Sequence, residues 1–252
     1  MSEFHDRRSE QDLAQPREKP ISVAASSLYR FTRLSRPFVG RERLLRWYLD
    51  LGRLFQRLSF EIAGEIFGES FHSRRTGVDP ERIQGLLPKC ASVLDVGCGS
   101  GRWCAVAAAH ADHVTGVDTS AVSIKNARRM YPDPKIEFLL ADAEKNLRDQ
   151  LGRRTFDLVL LIHVIEHIEK ADQLLEELKL LGRRLLVEVP DFESDMLNHV
   201  RHHYRRPFYS DADHVREYTD SILRSQLTRA GWSVEHLEIR RGSIVAVAGH
   251  PR

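Results

Sequence analysis

From about residue 80 onward, short apolar runs alternate with stretches whose apolar residues recur every three or four positions. The runs have the length of buried strands, and the stretches between them have the periodicity of amphipathic helices. This alternation predicts βαβ units and a mostly parallel, doubly wound α/β sheet with helices on both faces. Strands are predicted near 92–97, 113–118, 135–140, 156–162, 184–189, 233–239 and 243–249, and helices near 101–110, 120–130, 170–181 and 219–230.

The N-terminal part of the chain has a different pattern. Residues 1–36 are polar, with little apolar periodicity, and are predicted to form a flexible tail. Residues 41–67 predict an amphipathic helix or a broken pair, within a cap segment 37–85 that precedes the main domain 86–252. Its arginines permit a membrane-surface or acidic-partner interpretation, but a helix that covers a core edge or a dimer contact is favoured. The apolar positions are Leu44, Tyr48, Leu51, Phe55, Leu58, Ile62 and Ile66.

Composition narrows the class of protein. The 252 residues are 42% apolar and 29% charged, as expected of an ordinary globular protein. A formal charge of only +2 gives no strong electrostatic argument for a nucleic-acid partner. The three cysteines have no spacing typical of a disulfide framework or a zinc site, which favours a reducing, cytoplasmic setting. Met1–Pro20 lacks the apolar segment of a signal peptide, and no apolar run approaches the roughly 20 residues that span a bilayer.

The segment Val93–Gly101 reads Val-Leu-Asp-Val-Gly-Cys-Gly-Ser-Gly, an apolar strand that runs into three alternate glycines and then a helix. Glycine suits a tight turn where a ligand lies against the backbone. Asp118 ends the next strand, 21 residues after Gly97, where a carboxylate can accept hydrogen bonds from ribose hydroxyls. A dinucleotide site would need glycine where Arg102 stands, so a nicotinamide-dependent oxidoreductase is disfavoured.

This glycine segment closely resembles the first motif of class I S-adenosylmethionine-dependent methyltransferases, and the resemblance continues through most of residues 90–250. It implies a Rossmann-like, seven-stranded fold that binds S-adenosylmethionine and releases S-adenosylhomocysteine. Asp95 is included in the implied site, although ordering the glycine loop is as good an interpretation of it as ligand contact. The implied cofactor residues are Asp95, Gly97, Cys98, Gly99 and Gly101 for the methionine end, Asp118 and Thr119 for the ribose, Asp142 and Ala143 for the adenine, and Ile162 beside the sulfonium.

His163-Val164-Ile165-Glu166-His167 matches a zinc-peptidase pattern, but it follows an apolar strand instead of lying within a helix, which disfavours a peptidase. The stretch resembles the Leu/Ile-Glu-His segment of small-molecule methyltransferases. In the similar ubiquinone-biosynthesis O-methyltransferases a Glu-x-x-Glu-His stretch supplies metal ligands, and here His163 replaces the first glutamate. No metal is assigned, and three alternatives stay open: Glu166 and His167 bind a divalent metal, they hold the loop, or His163 or His167 is a general base.

Residues 191–218 are predicted to form a substrate-lid insert. The segment is dense in His, Tyr and Arg, and residues 214–219 resemble a H-x-R-x-[YF]-[TS] stretch found in several branches of the family. The competing interpretation is a solvated helical insert whose aromatic residues complete the core. The candidate substrate residues are His203, Tyr204, Arg205, His214 and Arg216.

The resemblance implies an enzyme that methylates a small-molecule acceptor, with oxygen as the favoured atom and a glycan, lipid-linked or secondary-metabolite group as the acceptor. Two rivals are a non-catalytic adenosylmethionine-binding scaffold and a nucleic-acid methyltransferase. The chain lacks an Asn-Pro-Pro-Tyr-like base pocket, which disfavours the second rival. Sequence alone leaves open the acceptor, any metal requirement, the oligomeric state and the role of the N-terminal helix.

Overall fold

The computed structural model describes residue 27 and residues 30–34, 39–67, 80–206 and 213–250. The chain divides into two compact units. The larger unit comprises Ser73–Asn198 and Tyr209–Arg252, and the smaller unit comprises Met1–His72 and His199–Phe208. From residue 41 onward the described α-helices are α1 (Arg41–Phe67), α2 (Pro80–Leu86), α3 (Arg102–Ala108), α4 (Ala121–Met130), α5 (Leu147–Gln150), α6 (Ala171–Leu181), α7 (Met196–His203) and α8 (Asp220–Arg229).

The larger unit is built on one seven-stranded sheet with the order β3-β2-β1-β4-β5-β7-β6. Strand β7 runs antiparallel to both of its neighbours, β5 and β6, and the other pairings are parallel. Strand order reverses direction between β1 and β4, and ligands bind at such a switch point in open α/β sheets. The strands are β1 (Cys90–Val96), β2 (Ala111–Asp118), β3 (Ile136–Leu140), β4 (Phe156–Ile162), β5 (Gly182–Pro190), β6 (Ser233–Arg240) and β7 (Ser243–Gly249).

The central strands are buried on both faces, which explains their continuous apolar runs. Side chains alternate across a strand, so neighbouring residues of β4 enter two different cores. Leu158 and Leu160 pack into one apolar cluster, and Val159 and Leu161 pack into the other. The predicted seven-stranded, mostly parallel fold is confirmed.

The described part of the N-terminal region differs from the sequence prediction in two respects. Residues 30–34 are helical although the sequence placed them in a flexible tail, most of which lies outside the described residues. Helix α2, predicted to belong to the cap segment, instead joins the larger unit. Buried Arg82 of α2 pairs with Glu238 of β6, and Ile83 is fully buried. No described helix is long and apolar enough to cross a membrane.

Candidate functional site

The glycine loop leaves the carboxyl end of β1 with three alternate residues in the left-handed region. The φ angles are 70° at Gly97, 53° at Gly99 and 86° at Gly101. The amides of Gly97 and Cys98 both donate to the carbonyl of Val117 at the end of β2, over 2.8 and 2.9 Å. The loop is therefore fixed to the neighbouring strand in a conformation that glycine adopts at little cost.

These three glycines differ in what a side chain would meet. A Cβ at Gly97 would lie 2.7 Å from Val164 Cγ2, and a Cβ at Gly101 would lie 2.7 Å from Phe138 Cζ. Among the described residues, apart from its chain neighbours, a Cβ at Gly99 would meet nothing within 4 Å. Gly97 and Gly101 are thus required by packing, whereas Gly99 borders open space, as expected of a backbone against which a ligand lies.

Asp118 joins the second strand to the glycine loop. One carboxylate oxygen, Oδ2, accepts from the amide of Gly99 over 2.9 Å, and Oδ1 accepts from the amide of Ser120 over 2.8 Å. Each carboxylate oxygen has a second lone pair, so the two oxygens can still accept from ribose hydroxyls. Exposed Thr119 follows directly. The position fits the predicted ribose-binding role.

Asp95 lies beneath the glycine loop and is almost fully buried. The thiol of Cys104 in α3 donates to its Oδ2 over 3.1 Å. Burial raises the pKa of Asp95 to about 7. The carboxyl group therefore links β1 to α3, which supports the loop-ordering interpretation of this residue.

The raised pKa of Asp95 makes stability depend on pH. Between about pH 4 and pH 7 the folded chain retains a proton that the unfolded chain has lost, so this group lowers stability as pH rises through that window. Above about pH 7 the loss is complete, at up to about 4 kcal/mol. We expect the wild type to lose stability relative to Asp95→Asn as pH rises from roughly 4.5 to 7.5, the range over which the carboxyl group of Asp95 titrates. The quantity compared is the free energy of unfolding of the two proteins. Urea denaturation across that range measures it, and a flat difference would contradict the assignment.

Asp142 and Ala143 follow the end of β3. The carboxylate of Asp142 pairs with Lys145 Nζ at 2.9 Å and accepts from the amide of Glu144 at 3.0 Å. The hydrogen bond from Lys145 holds the pKa of Asp142 below its usual range. The side chain of Gln150 bonds to both backbone groups of Asp142 over 2.9 Å. The loop is ordered, and the adenine-binding role of Asp142 and Ala143 stays a prediction.

His163 follows β4 in the left-handed region, at φ 55°. Its amide donates to the carbonyl of Glu188 over 2.9 Å, and its Nδ1 lies 3.2 Å from Glu166 Oε1. Glu188 is fully buried, its pKa is raised by burial, and it accepts from the hydroxyl of Ser243. His163 therefore lies among buried carboxylates, and its own Nε2 is buried without a hydrogen-bond partner in the described structure.

Three further donors converge where the loop after β4 meets the segment that precedes α8. One ligand atom each from Glu166, His167 and His214 lies within 4.8 Å of the others. Glu166 is fully buried, and among the described residues its carboxylate has only the 3.2 Å contact of Oε1 with His163 Nδ1, which lacks hydrogen-bond geometry. One carboxylate and two imidazoles are a donor set that a divalent transition metal accepts, so these residues could hold a metal.

The H-x-R-x-[YF]-[TS] segment fastens this loop. The amide of Val215 donates to the carbonyl of Glu166 over 2.9 Å, and Arg216 donates to the carbonyl of Glu169 over 3.2 Å. Tyr218 is fully buried, and its hydroxyl donates to Gln226 over 2.8 Å. The sequence predicted a substrate lid here. The structure adds a packing role, because aromatic Tyr218 completes the core as the competing interpretation held.

His214 and Arg216 lie beside the loop after β4, and His214 Nδ1 is 3.0 Å from Glu217 Oε1. The other candidate substrate residues, His203, Tyr204 and Arg205, belong to the smaller unit. There Arg46 lies over the ring of Tyr204, 5.2 Å from its centroid. Their roles toward a substrate stay predictions.

The family follows from comparison with known proteins. A profile described as "Methyltransferase domain" matches residues 65–237 of this chain. That range covers the glycine loop, Asp118, and the loop after β4. The chain therefore belongs to the methyltransferase domain family.

Curated relatives match part of the chain. The ubiquinone biosynthesis O-methyltransferase of Rickettsia felis is 29% identical over 116 residues, which are 42% of this chain and 45% of that protein. A protein of the same name from Chelativorans sp. is 36% identical over 87 residues, 34% of this chain and 33% of its own length. The matches thus span less than half the length of these relatives.

Solved structures share the fold. An S-adenosylmethionine-dependent methyltransferase from Mesorhizobium loti superposes with a TM-score of 0.55 at 19% identity, over 69% of this chain and 100% of that chain. The magnesium protoporphyrin IX methyltransferase of Synechocystis, solved with bound S-adenosylhomocysteine, gives a TM-score of 0.53 at 20% identity, over 76% of this chain and 99% of that one.

Proposed function

We propose that this protein transfers a methyl group from S-adenosylmethionine to a hydroxyl oxygen of a small acceptor. The observation that carries the proposal is the direct packing of the loop after β4 on the glycine loop, where Val164 fills the space beside Gly97. His163 adjoins Val164 in the chain and His167 follows it by three residues, which supports a role for this loop near the predicted methionine end of the cofactor. Their polar side chains are our candidates for holding the acceptor hydroxyl.

The relatives favour oxygen among the acceptor atoms and a lipid-linked group among the acceptors. Six curated relatives carry the name ubiquinone biosynthesis O-methyltransferase, at 29% to 36% identity. A hydroxyl on a lipid-linked ring is therefore our first candidate acceptor. A glycan and a secondary metabolite are the other two classes to screen.

The bound cofactor supplies an electrophilic methyl group on a positively charged sulfur, and the protein has to align the acceptor with it and take up the hydroxyl proton. His167 suits proton uptake better than His163. Its side chain is 32% exposed. Its Nδ1 lies 3.3 Å from Asp213 Oδ2, a contact without hydrogen-bond geometry. His163 instead faces Glu166 and has a buried Nε2.

We expect His167→Gln to lower kcat by roughly 10² to 10⁴, with a smaller change in KM, because the variant keeps a polar side chain but cannot accept the proton. The measurement is transfer of labelled methyl from S-adenosylmethionine to a panel of prenylated phenols, with their methyl ethers as blanks. The control is His110→Gln, a histidine on the loop between α3 and β2. Cofactor binding without transfer to any hydroxyl compound would instead favour the non-catalytic scaffold.

A divalent metal is the second candidate for this cluster, because Glu166 is a buried carboxylate without a hydrogen-bond partner in the described structure. We favour the alternative in which Glu166 positions His163 and the loop, and we therefore expect activity to survive exhaustive dialysis against a chelator. If activity is lost, returns with one Mn²⁺ or Zn²⁺ per chain, and fails to return in Glu166→Gln, the cluster is a metal site. Metal uptake is read independently by elemental analysis of the refilled protein.

A further inference from the structure

Helix α1 carries a continuous apolar seam. Its apolar residues recur at alternating steps of four and three, which is the a/d spacing of a coiled coil. A 27-residue helix is about 40 Å long at 1.5 Å per residue, so the seam runs along most of it. The seam residues are Leu44, Tyr48, Leu51, Phe55, Leu58 and Ile62.

The described residues cover only part of the seam, with its N-terminal half (Leu44, Tyr48 and Leu51) half-buried. Its C-terminal half is exposed, with Phe55 at 62%, Leu58 at 42% and Ile62 at 57%. Trp47, Leu54 and Ile66 are also exposed, at 52%, 49% and 66%, and they widen the same face. Together these six side chains leave on the order of 600 Å² accessible, which approaches the roughly 800 Å² that each partner buries in a standard interface.

Charge along α1 is unevenly distributed. The five arginines lie between Arg41 and Arg57, where they outnumber the acidic Glu42 and Asp50, whereas the last two turns carry Glu61 and Glu65 and no basic residue. A parallel pair of such helices would bring arginines against arginines. An antiparallel pair brings the basic half of each helix against the acidic end of the other, which is favourable.

The seam has a register that satisfies a two-fold axis. In an antiparallel pair, each residue faces a partner residue such that the two numbers add to a constant. When the two residue numbers add to 106, every seam residue faces another seam residue of the second copy. The same register brings together the two charged residues that continue the seam at its ends. The pairs are Leu44 with Ile62, Tyr48 with Leu58, Leu51 with Phe55, and Arg41 with Glu65.

We propose that α1 is the interface of a homodimer, in which α1 packs antiparallel against the same helix of a second copy. Glu65 distinguishes this partner from a lipid surface. It continues the seam three residues after Ile62, so insertion of the seam into a bilayer would carry a carboxylate toward the acyl chains, at a high desolvation cost. In the dimer the same carboxylate meets Arg41 of the second copy.

The first test is the oligomeric state of the full chain by sedimentation velocity, in wild type and two matched variants. Leu58→Glu places a charge in the seam of each copy, so a dimer would bury two charges. We expect this variant to raise the dissociation constant of the dimer at least 100-fold. Leu180→Glu makes the same change at a 55% exposed leucine of α6, outside the smaller unit, and should leave the dimer intact. A wild type that stays monomeric at high micromolar concentration overturns the proposal.

The second test is a charge exchange that defines the register. Arg41→Glu and Glu65→Arg should each weaken the dimer by about tenfold, because each reverses a pair that occurs twice, and the double variant should restore it. Lack of restoration contradicts the antiparallel register. If monomers bind vesicles containing anionic lipid and Leu58→Glu abolishes that binding, the seam binds a membrane surface and the homodimer proposal is wrong.

Discussion

Gly99→Ala is expected to abolish measurable binding of S-adenosylhomocysteine, with an increase of at least 100-fold in Kd, while the fold is retained. The new methyl group would project into the open space bordered by Gly99, where no described atom beyond the adjacent residues lies within 4 Å. Its structural cost is limited to the left-handed backbone, at about 1 to 2 kcal/mol. Calorimetric titration measures the affinity, and thermal unfolding measures the stability.

Gly101→Ala is the matched control for this prediction. The same added methyl at φ 86° would collide with the ring of Phe138 and with Ala127 at 3.0 Å. Overpacking adds about 1 to 3 kcal/mol to the backbone cost, so this variant should lose more stability than Gly99→Ala. If Gly99→Ala binds S-adenosylhomocysteine as tightly as the wild type does, the cofactor does not lie against Gly99. The assignment of the glycine loop as the cofactor-binding loop is then wrong.

Asp118→Ala is expected to weaken S-adenosylhomocysteine binding by roughly 10² to 10³, and Asp118→Asn somewhat less. Hydrogen bonds to a charged group contribute about 1.5 to 3 kcal/mol each, and the ribose offers two hydroxyls. The substitution also removes the acceptor for the amides of Gly99 and Ser120, so the loop itself loosens. Affinity for S-adenosylhomocysteine and for free adenosine, measured side by side, shows whether the loss belongs to the ribose.

Asp157 provides the control for Asp118. Its carboxylate also accepts from two backbone amides, those of Ala91 and Ser92, at 2.9 and 3.1 Å. Asp157 lies near the amino end of β4, however, whereas Asp118 lies at the carboxyl end of β2, where the cofactor is predicted to bind. Asp157→Asn should therefore reduce stability while leaving the Kd unchanged. Equal loss of affinity in the two variants would mean that Asp118 acts only through stability.

The strands and the cofactor loop could be predicted from sequence because their signals are local. A strand buried on both faces is an apolar run, as in β4, and a loop with φ above zero needs glycine at Gly97, Gly99 and Gly101. Asp118 followed from its position at the end of the next strand. These features depend on a few consecutive residues, so the pattern determines them.

Contacts between site residues that lie far apart in sequence could not be predicted in this way. His214 lies 47 residues after His167 in sequence, yet their ring centroids are 4.6 Å apart. Nothing in the local pattern indicates that the amide of Val215 would donate to Glu166 or that Asp95 would accept from Cys104. Such pairs form only when the whole sheet has assembled, and an alignment that showed paired substitutions would have been the signal to find them.

The most direct test of the central assignment is a calorimetric titration of the wild-type protein with S-adenosylhomocysteine, beside NADH. We predict one S-adenosylhomocysteine bound per chain with micromolar affinity, weakened in both Gly99→Ala and Asp118→Ala, and no heat from NADH. Absence of S-adenosylhomocysteine binding to the folded wild type, or binding of NADH in its place, would contradict the assignment of this chain as a methyltransferase.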